Sequence, residues 1–173
     1  MSMRSVVYES DRIRDAGSEN VRFWNQELHD GLSPEDQELD SVAASGVRSA
    51  IHMKAKAIVV ITQSGRVARA VARHQPSVPV LAFCTDPQVA RRLQLHRGLI
   101  PIMLQPKKDP TSASTRLSKL RAEAVRTAKE LGFVQNGDRL VMVDQTKGKS
   151  HDHHAYAHNM KVVTIRSDHT TEI

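Results

Sequence analysis

One cysteine, Cys84, in 173 residues rules out a disulfide framework and fits a reducing compartment. Its apolar neighbours in Pro79-Val80-Leu81-Ala82-Phe83-Cys84 describe a buried strand end rather than a reactive thiol. Aromatic side chains make up only 3% of the chain, which leaves few platforms for stacking bases, so no nucleic-acid partner is expected even though the net charge is +6. No apolar run approaches the ~20 residues that cross a bilayer, and the first residues, with Arg4, Glu9, Asp11 and Arg12, lack a signal-peptide core. The expectation is a cytoplasmic protein with no membrane partner. Paired carboxylates, a nucleophile elbow and a Ser/His/Asp arrangement are also missing, and no catalytic residue is assigned.

What charge there is lies unevenly. Residues 1–56 carry seven Lys or Arg against ten Asp or Glu, net −3, leaving 18 against nine, net +9, for the rest. Anions should therefore be drawn to the later part of the chain. A small phosphorylated ligand needs only one helix N-terminus and one or two cations.

From Ala57 onward, apolar runs rich in Ile and Val alternate with helical patterns. The spacing predicts strands at 57–61, 79–84, 99–104, 139–143 and 161–165, and helices at 65–74, 87–96 and 113–131. A further helix from Pro34 to about Met53 opens on Ser33-Pro34-Glu35-Asp36, with Ser as cap, Pro at the first position and acids in the first turn. Asp86-Pro87 starts the helix at 87–96 with a cap followed by Pro at the first position, and Asn136-Gly137-Asp138 turns into the penultimate strand. Because 144–160 has no helical periodicity, the last strand is expected to pair antiparallel as an edge hairpin. The fold class is α/β, a three-layer sandwich with a mainly parallel sheet. Residues 1–33 read as a polar arm or inter-domain connector with a helix near 4–15 and an apolar patch holding Phe23 and Trp24; residues 34–173 read as the α/β domain.

The most informative passage is Thr62-Gln63-Ser64-Gly65-Arg66, where the first strand breaks into a helix. Ser64 is expected to cap that helix and Gly65 to admit close approach to the backbone. The free amides, with the hydroxyls of Thr62 and Ser64, would then hold an anion, and Arg66 is near enough to serve it. Spacing alone fits an ordinary capped strand-to-helix turn at least as well. Arg66, Arg69 and Arg73 share one helical face, which reads as a solvated stripe. The loop 144–160 leaves the end of another strand, and its Lys147, Gly148, Lys149 and His151 could fold over the same anion. His151, Asp152, His153, His154 and His158 raise a metal site, but without Cys or a helical start none is assigned.

In order along the chain, Ala55 to Ala68, Pro79 to Ala82, Gln88 to Leu93, His96 to Pro101, Gly132-Phe133, Gly137 to Val143 and Asn159 to Val163 resemble the C-terminal domain of pyruvate kinase, over roughly residues 34–165. The resemblance implies a domain that binds a sugar bisphosphate effector and contributes to a homo-oligomeric, tetrameric assembly. It implies that the Thr-x-Ser-Gly-Arg turn, here Thr62, Gln63, Ser64, Gly65 and Arg66, grips one effector phosphate. Gln63 and Val67 stand where effector-responsive members often have Lys and Ser, and the family's Trp-x-x-Gly-Ser-Gly loop pattern is absent from 145–159. In that family Mg²⁺, K⁺, phosphoenolpyruvate and nucleotide are held by a catalytic barrel, whose motifs do not occur in these residues. No cofactor is therefore expected in this chain, its natural partner is a barrel in the same or a parent polypeptide, and it is not expected to transfer a phosphoryl group alone. Effector-free assembly and a free-standing phosphate-binding protein remain the alternatives.

Overall fold

The computed structural model describes residues 30–104, 113–147 and 156–166. The expected helix at 4–15, Phe23, Trp24, and Gly148, Lys149 and His151 lie outside the described residues. Helix α1 (Pro34–His52) begins as the sequence predicts, with Ser33 Oγ accepting from the Asp36 amide at 3.3 Å. The chain continues as β1 (Ala57–Ile61), α2 (Arg66–Arg73), β2 (Val80–Cys84), α3 (Pro87–Leu93), β3 (Leu99–Met103), α4 (Ala113–Glu130), β4 (Arg139–Lys147) and β5 (Tyr156–Thr164).

The strands form one sheet in the order β3-β2-β1-β4-β5. Four run parallel, and β5 pairs antiparallel with β4 at the edge, as expected. The central strands β1, β2 and the first part of β4 are buried on both faces because they are continuous apolar runs rather than alternating ones, whereas β3 and β5 at the edges are partly exposed. One face, with Ile58, Val60, Val80, Ala82, Val141 and Val143, packs on Leu39, Ala43 and Val47 of α1, Val67 and Val71 of α2, and Leu93 of α3. The other, with Val59, Leu81, Phe83, Leu140 and Met142, packs on Ala124, Val125 and Ala128 of α4. These are the three layers.

Helix α1 rides unusually close to β4. A Cβ on Gly46 would stand 2.9 Å from Val143 Cγ2, so no other residue fits there without a shift. The same helix is tied to α2 by charge: Arg73 Nη1 donates to Asp40 Oδ1 at 2.9 Å, and His74 Nε2 lies 3.0 Å from the same oxygen, with the Asp40 side chain only 3% exposed. This corrects the reading of Arg66, Arg69 and Arg73 as a solvated stripe. Asp36 and Asp40, one turn apart on α1, face that stripe and draw Arg66 and Arg73 into a half-buried helix interface.

Two element ends also differ from expectation. Helix α3 stops at Leu93 because its last amides tighten into i→i+3 bonds, Leu95 N to Arg92 O and His96 N to Leu93 O. The hairpin strands are longer than 139–143 and 161–165. Residues 144–147 and 156–160 are paired as strand, not loop, since polar side chains there satisfy one another inside the sheet.

Candidate functional site

Two strands leave β1's neighbourhood in opposite directions. From β1 the chain passes through α2 on one face, whereas β4 is reached through α4 on the other, so the carboxyl ends of β1 and β4 form the point where a doubly wound sheet opens a crevice. Residues Thr62 to Arg66 sit at that point, and Ile61 is in register with Asp144 across it.

The turn is built on a left-handed glycine. Gly65 has φ +81°, ψ −3° and is the residue preceding α2, and no side-chain cap bond is made there. This corrects the assignment of Ser64 as cap: a Ser cap needs extended backbone one residue earlier, but the chain reverses through Gly65, so the helix starts at Arg66. The capping role passes to Thr62, whose Oγ1 accepts from the Gly65 amide at 2.9 Å while its own amide stays in the sheet, donating to Phe83 O at 3.0 Å. Thr62 is 5% exposed, and its hydroxyl proton remains available as a donor. Gln63 and Ser64 are exposed at the crest. The first intrahelical bond is Arg69 N to Gly65 O at 3.0 Å, so the amides of Arg66, Val67 and Ala68 have no partner within the helix and point to its N-terminal end.

Two arginines, Arg66 and Arg69, lie in the first turn of α2. Arg66 Nη2 donates to Asp36 Oδ1 at 2.6 Å, and the two side chains are 37% and 40% exposed. That bond lowers the Asp36 pKa and raises that of Arg66. Arg69, read from sequence as part of a solvated stripe, folds back so that Nη1 reaches Ser64 O at 3.4 Å. Its i+4 spacing from Gly65 was the signal for that reach. A Cβ on Gly65 would meet Arg69 Nη1 at 3.0 Å and Leu93 Cδ2 at 3.2 Å, which shows how tightly α2 and α3 enclose the turn.

On the opposite side the hairpin supplies a network that sequence reading missed. Asp144, 1% exposed, accepts from Arg121 Nε at 2.7 Å and Nη2 at 2.8 Å, and from Asn159 Nδ2 at 3.0 Å. Asn159 Nδ2 also reaches Thr146 Oγ1 at 3.2 Å. The bidentate guanidinium of Arg121 neutralises the buried Asp144 carboxylate. Asp144 belonged to a stretch with no recognisable periodicity, and Arg121 is 23 residues away, so no local pattern linked them. His158 lies on β5, not in a loop. Its Nδ1 is buried without a hydrogen-bond partner among the described residues, and burial depresses its pKa, against the raising influence of Glu38, Asp36 and Glu35. Lys147 ends β4; Gly148, Lys149 and His151 follow it outside the described residues. Among the described residues no cluster of His, Cys, Asp or Glu could hold a metal ion, and no helix is long and apolar enough to cross a membrane.

The sequence model of the family described as "Pyruvate kinase, alpha/beta domain" matches residues 40–163. "Pyruvate kinase 1" of Saccharomyces cerevisiae is 34% identical over 127 residues, covering 73% of this chain and 24% of that protein. "Pyruvate kinase, cytosolic isozyme" of Glycine max is 36% identical over 116 residues, covering 60% of this chain and 22% of its own. Among solved structures, "Cryptosporidium parvum pyruvate kinase in complex with ADP" is similar with a TM-score of 0.62 at 26% identity, covering 83% of this chain and 27% of that one. The chain thus spans about a quarter of the length of the relatives it matches.

Proposed function

The chain belongs to the pyruvate kinase family through that family's C-terminal alpha/beta domain, and from this premise we propose that it is a regulatory domain that binds a phosphorylated effector at the turn from Thr62 to Arg66. The observation that supports the reading is the left-handed Gly65 at the sheet's opening. It starts α2 at Arg66, so that the helix's first amides lack intrahelical partners in the same turn that carries Arg66 and Arg69, next to the Thr62 hydroxyl that accepts from the Gly65 amide. Helix amides and guanidinium groups together suit a phosphate better than a neutral ligand. A sugar bisphosphate is the effector proposed, its second phosphate meeting the hairpin side where Lys147 ends β4. In this reading residues 1–33 connect to a catalytic barrel, phosphoryl transfer and its Mg²⁺ and K⁺ belong to that barrel, and the location is cytoplasmic, as the name of the Glycine max relative has it for that protein.

Titration calorimetry with fructose 1,6-bisphosphate and with inorganic sulfate tests the site. Ser64 is exposed and makes no cap, so Ser64→Asp alters charge at the crest and leaves the helix start intact. Repulsion and a lost charge-assisted bond should cost roughly 2–4 kcal/mol, about 30- to 1,000-fold in affinity. Equal binding by both proteins would place the ligand elsewhere; no binding of either ligand at millimolar concentration would remove the effector role.

A second reading, an effector-free assembly module, is favoured by one observation. β5 is one of the two edge strands and exposes Tyr156, Met160 and Val162. A strand edge with apolar flanks is a template for pairing with a second copy. Sedimentation equilibrium of Val162→Lys decides it: a monomer, where the wild type forms dimers or higher assemblies, supports pairing through β5.

A further inference from the structure

The cation that should meet the ligand is already engaged. Arg66 Nη2 donates to Asp36 Oδ1 at 2.6 Å, in a contact that joins the first turn of α2 to the first turn of α1. Asp36 is not a free surface acid swept into that contact by chance. Ser33 Oγ donates to its other oxygen, Oδ2, at 3.0 Å, and the Ser33 hydroxyl in turn accepts from the Asp36 amide, so the carboxylate is held by its own helix cap with Oδ1 turned to Arg66. We propose that Asp36 is an internal anion that occupies Arg66 in the unliganded domain, so that effector binding exchanges one anion for another and releases the start of α1. This rests on the anion-site reading given above.

The neighbouring charges sharpen the point. Glu35 lies next to Asp36 in the same turn but makes no bond to Arg66, and Arg69 approaches the Ser64 carbonyl rather than a carboxylate. Only Arg66 must therefore change partner when an anion enters. The second tie between the two helices, Asp40 with Arg73 and His74, lies a turn further along α1, is more deeply buried and has no reason to move. Occupancy of the turn is thereby felt at α1's first turn and not at its second. Because both partners are more than one third exposed, the pair holds Arg66 only modestly, by a population ratio of about two- to fivefold. The apparent affinity for an anion is reduced by the fraction of Arg66 so held, and by the repulsion of the displaced carboxylate.

Calorimetry of the 173-residue chain with fructose 1,6-bisphosphate, repeated with inorganic sulfate, tests this in wild type, Asp36→Asn, Glu35→Gln, Arg66→Gln and the Asp36→Asn/Arg66→Gln double variant. Asp36→Asn should bind about 3- to 10-fold more tightly than wild type, and Glu35→Gln, which removes the same charge one residue away, should stay within about twofold. In the Arg66→Gln background the gain should disappear. Equal affinity of Asp36→Asn and wild type, a matching gain in Glu35→Gln, or a gain that survives without Arg66 would each overturn the exchange while leaving the anion site standing. Loss of all binding in every protein, wild type included, would overturn the site and the exchange together. A second readout uses no variant: in wild type, saturating fructose 1,6-bisphosphate should accelerate hydrogen exchange of the Gln37 amide, bonded to Ser33 O at 2.8 Å, and leave Ala43 unchanged. An unchanged Gln37 rate with ligand bound overturns the release of α1.

Discussion

Replacing Arg121 by Met should unsettle this domain more than any surface change, because it strands Asp144. That carboxylate is 1% exposed and takes two donors from Arg121, at 2.7 and 2.8 Å, while the Arg121 side chain is itself only 10% exposed. Met keeps the length and apolar character of the arginine stem, so packing on α4 changes little and the missing charge dominates. Leaving one member of a buried pair uncompensated costs about 3–5 kcal/mol. Asn159 Nδ2, which stays within 3.0 Å of Asp144, offsets on the order of 1 kcal/mol of that. The net expectation is about 2–4 kcal/mol, or a fall in melting temperature of roughly 4–16 °C for a chain of this length. The Arg121→Met/Asp144→Leu double variant should recover most of the loss, because an apolar pair of similar volume is close to neutral against a buried ion pair. Urea unfolding of wild type, both single variants and the double variant, followed by circular dichroism, closes the thermodynamic cycle. If Arg121→Met unfolds within about 0.5 kcal/mol of wild type, or if the double variant is no more stable than the weaker single one, Asp144 does not depend on Arg121 and the reasoning fails.

Two further outcomes follow from the same geometry. His158 has a pKa depressed by burial, so its contribution to stability is complete above the ordinary value of 6.5 and is lost as pH falls below it towards the folded value; thermal melts from pH 7.5 to 5.5 should decline more steeply for wild type than for His158→Gln, and parallel declines would count against it. Gly65→Ala places a side chain at φ +81° with contacts at 3.0 and 3.2 Å, and should lower unfolding free energy by about 1–2 kcal/mol; no loss in a urea titration would mean that the turn reshapes freely.

The sheet and the order of its elements were legible from residue patterns alone, since Ile58 to Val60 and Leu81 to Phe83 are unbroken apolar runs flanked by turn residues. The helix starts at Pro34 and Pro87 were legible for a local reason too: the capping Ser33 and Asp86 lie next to the helices that they serve. What stayed hidden depends on partners distant in sequence. Asp36 looked like a helix-dipole acid, and only the packing of α1 on α2 shows that it faces Arg66, 30 residues on. The stem of the hairpin was hidden because Asp144, Thr146 and Asn159 are polar, and the burial of Asp144 is intelligible only once Arg121 and Asn159 are brought to it. The shift of the cap from Ser64 to Thr62 was hidden because backbone handedness at Gly65 is permitted, not dictated, by the residue.

The pairing of β1 with β4 also sets an order of assembly. Val60 meets Ala82 of β2 after only a short stretch of chain, whereas it meets Val143 of β4 only once α2, β2, α3, β3 and α4 have all been traversed. On loop-length entropy alone the longer closure is harder by roughly 1 kcal/mol, and it is expected late. The turn from Thr62 to Arg66 is thus expected to form with the early, local half of the molecule, and the β4 side of its crevice with the last strands to dock. A chain cut short during synthesis, or held open before β4 docks, would present the α2 amides to water with no opposite wall, so the anion binding proposed above, where it uses both sides, is expected only of the finished domain.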